Sequence, residues 1–336
     1  MSRAKGSIRP LDPFRDLEEV VDLIEIAFGD RLDPAGRATL DRMRRFAERG
    51  LLRQWLWVFL GKAMVAPGLV WVEDGRVVGN VSLRRARTQD GYLIGNVVVH
   101  PDWRRRGIAR ALMKEAIDRV SRRGVQWVGL EVRADNDGAR ALYEALRFRE
   151  VGRTRHLLRP GGPPRPGRPS ADEVRRGGGQ DGDALVDLMH SVMPEELRPL
   201  LEVEESDYRP GWGRRCQHWL RGEREVWWLV DDEDGLRGAV RAVRRAGRFP
   251  NQLEILVRPG DEGCEGPLLE RGLASLRGSS KKPVAISLPT TTAPLMAALE
   301  DEGFRETRVL IQMKRRPGQR IPIAVKEHTQ RKTGPL

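Results

Sequence analysis

Only two cysteines, Cys216 and Cys264, occur in 336 residues. They form no CxxC pair, which excludes a disulfide framework and a thiolate metal site. Histidine is as sparse: His100, His156, His190, His218 and His328 never fall at metal-ligand spacing, so no metal is expected. No apolar run is long and clean enough to span a bilayer, because the longest, residues 51–72, is broken by Arg53, Lys62 and Pro67. The opening MSRAKGSIRP has charge but no apolar stretch of the kind a secretory signal needs, and a cytoplasmic location without membrane contact is the expectation. Lysine too is scarce, 8 against 52 arginines, so a cluster of arginines carries less meaning here than in most chains.

What is present is charge, unevenly placed. The formal net charge is +12, made of +10 over residues 1–160, −4 over 161–313 and +6 over 314–336. A basic first part beside an acidic second part points to an anionic ligand on the first. Nucleic acid is not the expected ligand, since no helix-turn-helix, RRM or finger pattern is found and few aromatics interleave with the arginines.

The length suits two domains, and the chain divides where Pro160, Pro163, Pro164, Pro166 and Pro169 crowd with glycines. Neither a helix nor a central strand survives such a run, so it reads as a semi-rigid linker. Ahead of it, residues 16–28 and 37–59 have apolar residues at helical spacing. Strands follow at 69–73 and 77–84 around the turn signal Asp74-Gly75, then a strand at 94–99, a helix at 108–122, a strand at 127–133, a helix at 139–146 and a strand from 148. The same order returns after the linker, with helices at 183–192, 267–276 and 294–302 and strands at 226–230, 238–243, 253–257 and 284–288. Aligning Phe148 with Phe304 sets the offset at 156 residues. The fold class is therefore α/β with a mixed sheet, built as two copies of one αβ unit. The domains are 1–159, a linker over 160–171, a second unit over 172–316 and a basic tail over 317–336. Such a fused pair can replace a homodimer, so monomer and homodimer both remain open.

The most informative segment is Val97-Val98-Val99-His100-Pro101-Asp102-Trp103-Arg104-Arg105-Arg106-Gly107-Ile108-Ala109. A strand ends at a proline, a basic loop with a glycine follows, and a helix begins. The first amides of a helix lack partners and lie at the positive end of its dipole, which favours phosphate. A plain solvated turn is the alternative. This segment resembles the acyl-CoA motif of the GNAT superfamily of N-acetyltransferases, Arg/Gln-x-x-Gly-x-Gly/Ala, with Arg104, Gly107 and Ala109 at the defining places. The resemblance continues from Leu130 to Phe148, where Arg147 departs from the glycine usual before the Phe; that departure concerns a helix end and not the chemistry.

The resemblance implies an acetyl-CoA-dependent N-acetyltransferase acting on an amine acceptor, with no metal. It implies that Val97, Val98 and Val99 offer backbone groups to the pantetheine arm, helped by a splay of the neighbouring strand. Arg104, Arg105, Arg106, Gly107, Ile108 and Ala109 then hold the pyrophosphate, and Asn136 contacts the CoA arm. Tyr143 stands where the family has a tyrosine near the CoA sulfur. A phenol stays protonated at pH 7 and can donate to a leaving thiolate; packing against the sheet is the alternative. Glu131 precedes Tyr143 by 12 residues, a spacing similar to that of base and acid in ribosomal-protein alanine acetyltransferases. Partial burial would tune it as a base, and a salt bridge to a neighbouring arginine is the alternative. Asn136 also suits a helix N-cap. In the second copy Ser287, Thr292 and Leu299 replace Glu131, Asn136 and Tyr143, while Glu262 and Glu265 replace Arg104 and Gly107. Carboxylates there oppose a pyrophosphate, so the second copy reads as degenerate. A non-catalytic CoA-sensing or scaffolding protein is the rival function.

Overall fold

The computed structural model describes residues 6–29, 68–87, 90–162, 174–247, 249–261, 263–279, 281–289 and 291–318, with isolated positions between 37 and 45. The second helical stretch expected over 37–59 lies mostly outside the described residues, as do most of the linker, Glu262 and the basic tail.

The first half contains β1 (Ser7–Pro10), α1 (Leu17–Phe28), β2 (Gly68–Glu73), β3 (Arg76–Arg85), β4 (Gly91–Val99), α2 (Ile108–Ser121), β5 (Trp127–Arg133), α3 (Asp137–Ala145) and β6 (Arg149–Arg159). The second half repeats the order with β7 (Arg175–Arg176), α4 (Gly182–Val192), α5 (Trp212–Leu220), β8 (Arg224–Asp232), β9 (Gly235–Arg244), β10 (Asn251–Val257), α6 (Glu265–Ser275), β11 (Val284–Leu288), α7 (Ala293–Asp301) and β12 (Arg305–Arg315). Local chemistry sets these boundaries. At Asp74-Gly75 both residues have positive φ, 50° and 79°, the backbone of a tight hairpin turn. Arg147 takes the left-handed φ of +67° that Gly303 takes at +84° in the second half. The amide of Phe148 still reaches Tyr143 O at 3.0 Å, as Phe304 reaches Leu299 O at 2.9 Å. The helix end is thus kept, with a strained arginine in the place of glycine.

All twelve strands form one sheet in the order β1-β2-β3-β4-β5-β12-β6-β11-β10-β9-β8-β7. The order is symmetric about the β12–β6 pair, and that symmetry reveals an exchange. β12, the last strand of the second half, lies between β5 and β6, while β6 lies between two strands of the second half. Ile311 and Met313 are accordingly buried in the first half's core, and Leu157 in the second half's. On one face of the first half α2 packs through Ile108, Leu112, Met113, Ala116 and Ile117. On the other α1 packs through Leu17, Val20, Val21 and Ile24 against Val70, Val77 and Val98. The period-2 alternation of the strands lets one sheet serve both layers.

Ion pairs cross between the halves. Arg84 meets Glu202 at 2.5 Å, Arg87 meets Glu204 at 2.9 Å, Arg149 meets Glu196 at 2.5 Å, and Arg155 on the exchanged β6 meets Glu306 at 2.6 Å. Part of the first half's positive excess therefore answers the acidic second half and not a ligand.

Candidate active site

β4 and β5 run parallel and paired from Gly91 opposite Trp127 to Ile94 opposite Leu130, and there the ladder ends. A second irregularity lies on the other edge of β4. Asn96 has a φ of +48°, and the β3–β4 register shifts between Asn80 and Ser82, which together make a bulge. The fully buried Asn80 holds it, its Nδ2 donating to Asn96 O at 2.9 Å. The bulge leaves Gly95 and Asn96 exposed and Val97 half-buried. Between the diverging strands opens a cavity of about 520 Å³, within the usual size range of small-molecule sites.

Four of the sequence-derived residues meet at this cavity: Val97, Glu131, Asn136 and Tyr143. Tyr143 is 6% exposed, with its ring edge-on to Phe148 at 6.1 Å. Burial pushes its phenol up to about 12, so the proton stays on oxygen throughout the neutral range. The hydroxyl has no hydrogen-bond partner among the described residues. The packing and acid readings of Tyr143 are thus compatible: the ring packs and the hydroxyl is available. Asn136 caps α3, its Oδ1 accepting from Ala139 N at 3.2 Å, while its side chain borders the cavity.

Glu131 departs from expectation in two respects. It is exposed and not partly buried, because β5 loses its β4 neighbour at this level. Its partner is not an arginine: Oε1 accepts from Gln312 Nε2 at 3.1 Å, since β12 has taken the place beside β5. Arg133, the nearest arginine along the strand, is committed to Asp135 at 2.9 Å.

Beyond β4 the chain makes a short 3₁₀ turn over Pro101–Trp103, with His100 Nδ1 accepting from Asp102 N at 3.3 Å. Gly107 then caps α2 at a φ of +84°, and no atom lies within 4 Å of the position a Cβ would take. Amides from Arg105 to Arg110 are unpaired among the described residues, a row of donors at the positive end of a 14-residue helix. The three arginines differ in use. Arg104 Nε donates back to Val99 O at 3.2 Å, fixing the loop to the strand. Arg106 folds over Trp103, donates to Asp102 O at 3.1 Å and approaches Glu73 at 4.0 Å. Arg105, with a φ of +64°, is exposed and its side chain is unengaged among the described residues. Val98 pairs with Asn80 and Val99 with Gly79 on β3, so Val97 is the valine that borders the opening. Ile108 and Ala109 turn their side chains into the core and offer only backbone to a ligand.

Sequence reasoning missed Asn80, Asn96, Gln312, Arg308, Leu310 and Leu200. The last three also line the cavity and belong to the second half. Only a turn-prone Asn within an apolar strand hinted at the bulge; nothing in the linear order hinted at β12. Among the described residues no group of three potential metal ligands occurs, and no helix is long and apolar enough to cross a membrane.

Solved structures share the overall fold of this chain. A GCN5-related N-acetyltransferase from Sphaerobacter thermophilus aligns over 93% of this chain and 96% of its own, with a TM-score of 0.60 and 17% identity. A tandem GNAT protein from the clavulanic acid biosynthesis pathway aligns over 94% and 100%, with a TM-score of 0.59 and 17% identity. At that identity the likeness establishes fold. Residues 36–148 match the acetyltransferase (GNAT) family. The [ribosomal protein bS18]-alanine N-acetyltransferase of Escherichia coli K12 is 47% identical over 62 residues, which are 18% of this chain and 42% of that protein. The chain thus matches less than half the length of this curated relative.

Proposed function

We propose that the chain is an acetyl-CoA-dependent N-acetyltransferase acting on a primary amine, with its active site in the first half. The observation that carries this reading is the convergence of Glu131, Asn136 and Tyr143, from a strand, a loop and a helix, on one cavity beside β4 and the unpaired amides that open α2.

Those residues fit the donor. The amides from Arg105 to Arg110 suit a pyrophosphate, the space at Gly107 admits close approach, and the bulged edge of β4 offers backbone groups to an amide-bearing arm. Acetyl-CoA supplies an acetyl group activated as a thioester. In the transfer the amine nitrogen bonds to the acetyl carbon, the carbon–sulfur bond breaks, and the Tyr143 hydroxyl gives its proton to the departing sulfur. An acceptor arrives largely protonated at pH 7, with a reference pKa of about 8 for an α-amine and about 10.4 for lysine. Glu131, directly or through water, takes that proton before the attack, and the second proton the nitrogen sheds as the amide forms returns to the Tyr143 oxygen. The E. coli relative's name specifies an alanine, so a peptide α-amine heads the acceptor panel, ahead of small amines and lysine.

Titration calorimetry with acetyl-CoA, run beside free-thiol release over that panel, tests the reading. Binding without turnover favours the CoA-sensing or scaffolding alternative, and absence of binding removes both. Glu131→Gln should lose rate at neutral pH and partly recover at high pH, where the amine arrives deprotonated; a rate unchanged at every pH removes Glu131 as the base.

A further inference from the structure

We infer that Gln312, carried by the last strand of the second half, is a positioning residue for the first half's active site, holding the Glu131 carboxylate toward the cavity. The inference rests on the reading of Glu131 as the base.

Gln312 is fully buried and lies directly opposite Glu131 in the β5–β12 ladder. Its Nε2 donates to Glu131 Oε1 at 3.1 Å, while its own Oε1 is buried without a hydrogen-bond partner among the described residues. A buried amide with one unsatisfied end destabilises the fold, and an apolar side chain of similar size would avoid that cost. Among the described residues the amide's one side-chain hydrogen bond is to the carboxylate, so that bond is what its presence secures. Reversing the amide would set oxygen against oxygen, which fixes the orientation.

A neutral donor is also suited to the task. Glu131 is exposed on a strand that has lost its β4 neighbour, so on its own it has several rotamers. One hydrogen bond to Oε1 restricts them and leaves Oε2 for a proton. An arginine in the same place would restrict the carboxylate while holding it charged and weakening it as a base. The arginines that share the cavity, Arg84, Arg133 and Arg308, stand on other positions, with Arg84 and Arg133 bonded to Glu202 and Asp135.

The molecule contains its own control. The 156-residue offset that carries Glu131 onto Ser287 carries His156 onto Gln312. On the far side of the central pair Ser287 duly faces His156, Oγ to Nδ1 at 3.0 Å. Both halves therefore place a polar pair at this level, but only the half with Tyr143 and the cavity pairs an amide with a carboxylate. Through β12 the second half also lends Arg308 and Leu310 to the cavity wall.

The experiment is a double-mutant cycle in the intact chain, with Gln312→Met and Gln312→Leu, each alone and combined with Glu131→Gln. Acetyl-CoA affinity, KM for the acceptor, kcat and the pH–rate profile are measured. Either Gln312 variant should bind acetyl-CoA normally and lose kcat by roughly 10–100-fold, the usual effect of removing a residue that orients a reacting group. In the Glu131→Gln background the same substitution should change kcat by less than about twofold, since the group it orients is absent. Ser287→Ala should leave all four quantities unchanged. Equal losses in both backgrounds, or loss of acetyl-CoA binding in both Gln312 variants, make Gln312 structural and overturn the inference. Native kcat in the Gln312 variants with an impaired Glu131→Gln overturns it while sparing the base; native kcat in Glu131→Gln overturns the base and this inference together.

Discussion

The two halves share one fold and one sheet, yet their middle strands differ. In the first half β4 is bulged at Asn96 and held there by Asn80. In the second, β9 and β10 pair without a register shift, Ala239 stands opposite Leu256 where Asn80 stands opposite Val98, and no bulge forms. Where the first half leaves an exposed edge, the second has Glu254 bound to Arg241 at 2.5 Å and to the Tyr208 hydroxyl. Burial and the Glu254 charge hold that phenol well above the ordinary tyrosine range. At the helix that follows, Gly107 heads a row of unpaired amides, whereas Glu265, 2% exposed, accepts from Gly263 N at 2.6 Å. A carboxylate thus occupies the start of α6. Leu299, fully buried, replaces Tyr143. Both parallel ladders end early, β4–β5 at Ile94 and β10–β11 at Leu253, so the halves differ in the bulge and in polar residues at matching places within one topology, and the second supplies β12 to the first.

The largest effect should come from breaking that service. A chain ended after Phe304 lacks β12, which strips β5 and β6 of their shared neighbour and removes Ile311 and Met313 from the first half's core. Burial of each side chain is worth about 1.5–3 kcal/mol, and two strand edges are exposed besides. The truncated protein should show no cooperative thermal transition and no acetyl-CoA binding; a folded, active product would mean that the halves are independent.

Next comes the anion site. Gly107→Glu places a carboxylate among the amides and forces a side chain to a φ of +84°, so acetyl-CoA affinity should fall at least about 100-fold. Gly107→Asn, which tolerates that φ, should cost far less. Glu265→Gln should leave calorimetric stoichiometry at one per chain, and a second site appearing there would show that the second half can bind the donor as well.

Tyr143→Phe keeps the ring against Phe148 and removes the proton. The expected loss is about 10²–10⁴-fold in kcat, with acetyl-CoA binding intact. With the phenol at about 12, the protonated and active form persists as pH rises past 10, so the wild-type rate should show no alkaline decline below that pH. A decline centred near 9 would assign the proton to another group.

The smallest effect belongs to the links between halves. Arg84 is about half exposed in its pair with Glu202, and such pairs are worth about 0.2–1 kcal/mol. Arg84→Ala should shift the thermal transition slightly at low salt and scarcely at 1 M salt, where screening removes the difference.

Most of the element order, the repeat and many strand and helix limits were legible in the sequence, because apolar period, turn pairs and caps act over a few residues. Tyr143, Asn136 and the Gly107 loop were legible for the same reason: each belongs to a local motif at a helix end. Glu131 was legible as a strand carboxylate, but its exposure and its Gln312 partner were not. Those depend on which strand lies beside β5, and nothing within β5 or the adjoining helices encodes that. The charge imbalance likewise gave the sign of an attraction without its object, and the structure directs part of it to Glu196, Glu202 and Glu204. Local sequence set what each segment forms. Only the tertiary structure decided that the two last strands cross over, since pairing across 180 residues is chosen by complementary faces and edges that exist once both sheets are built.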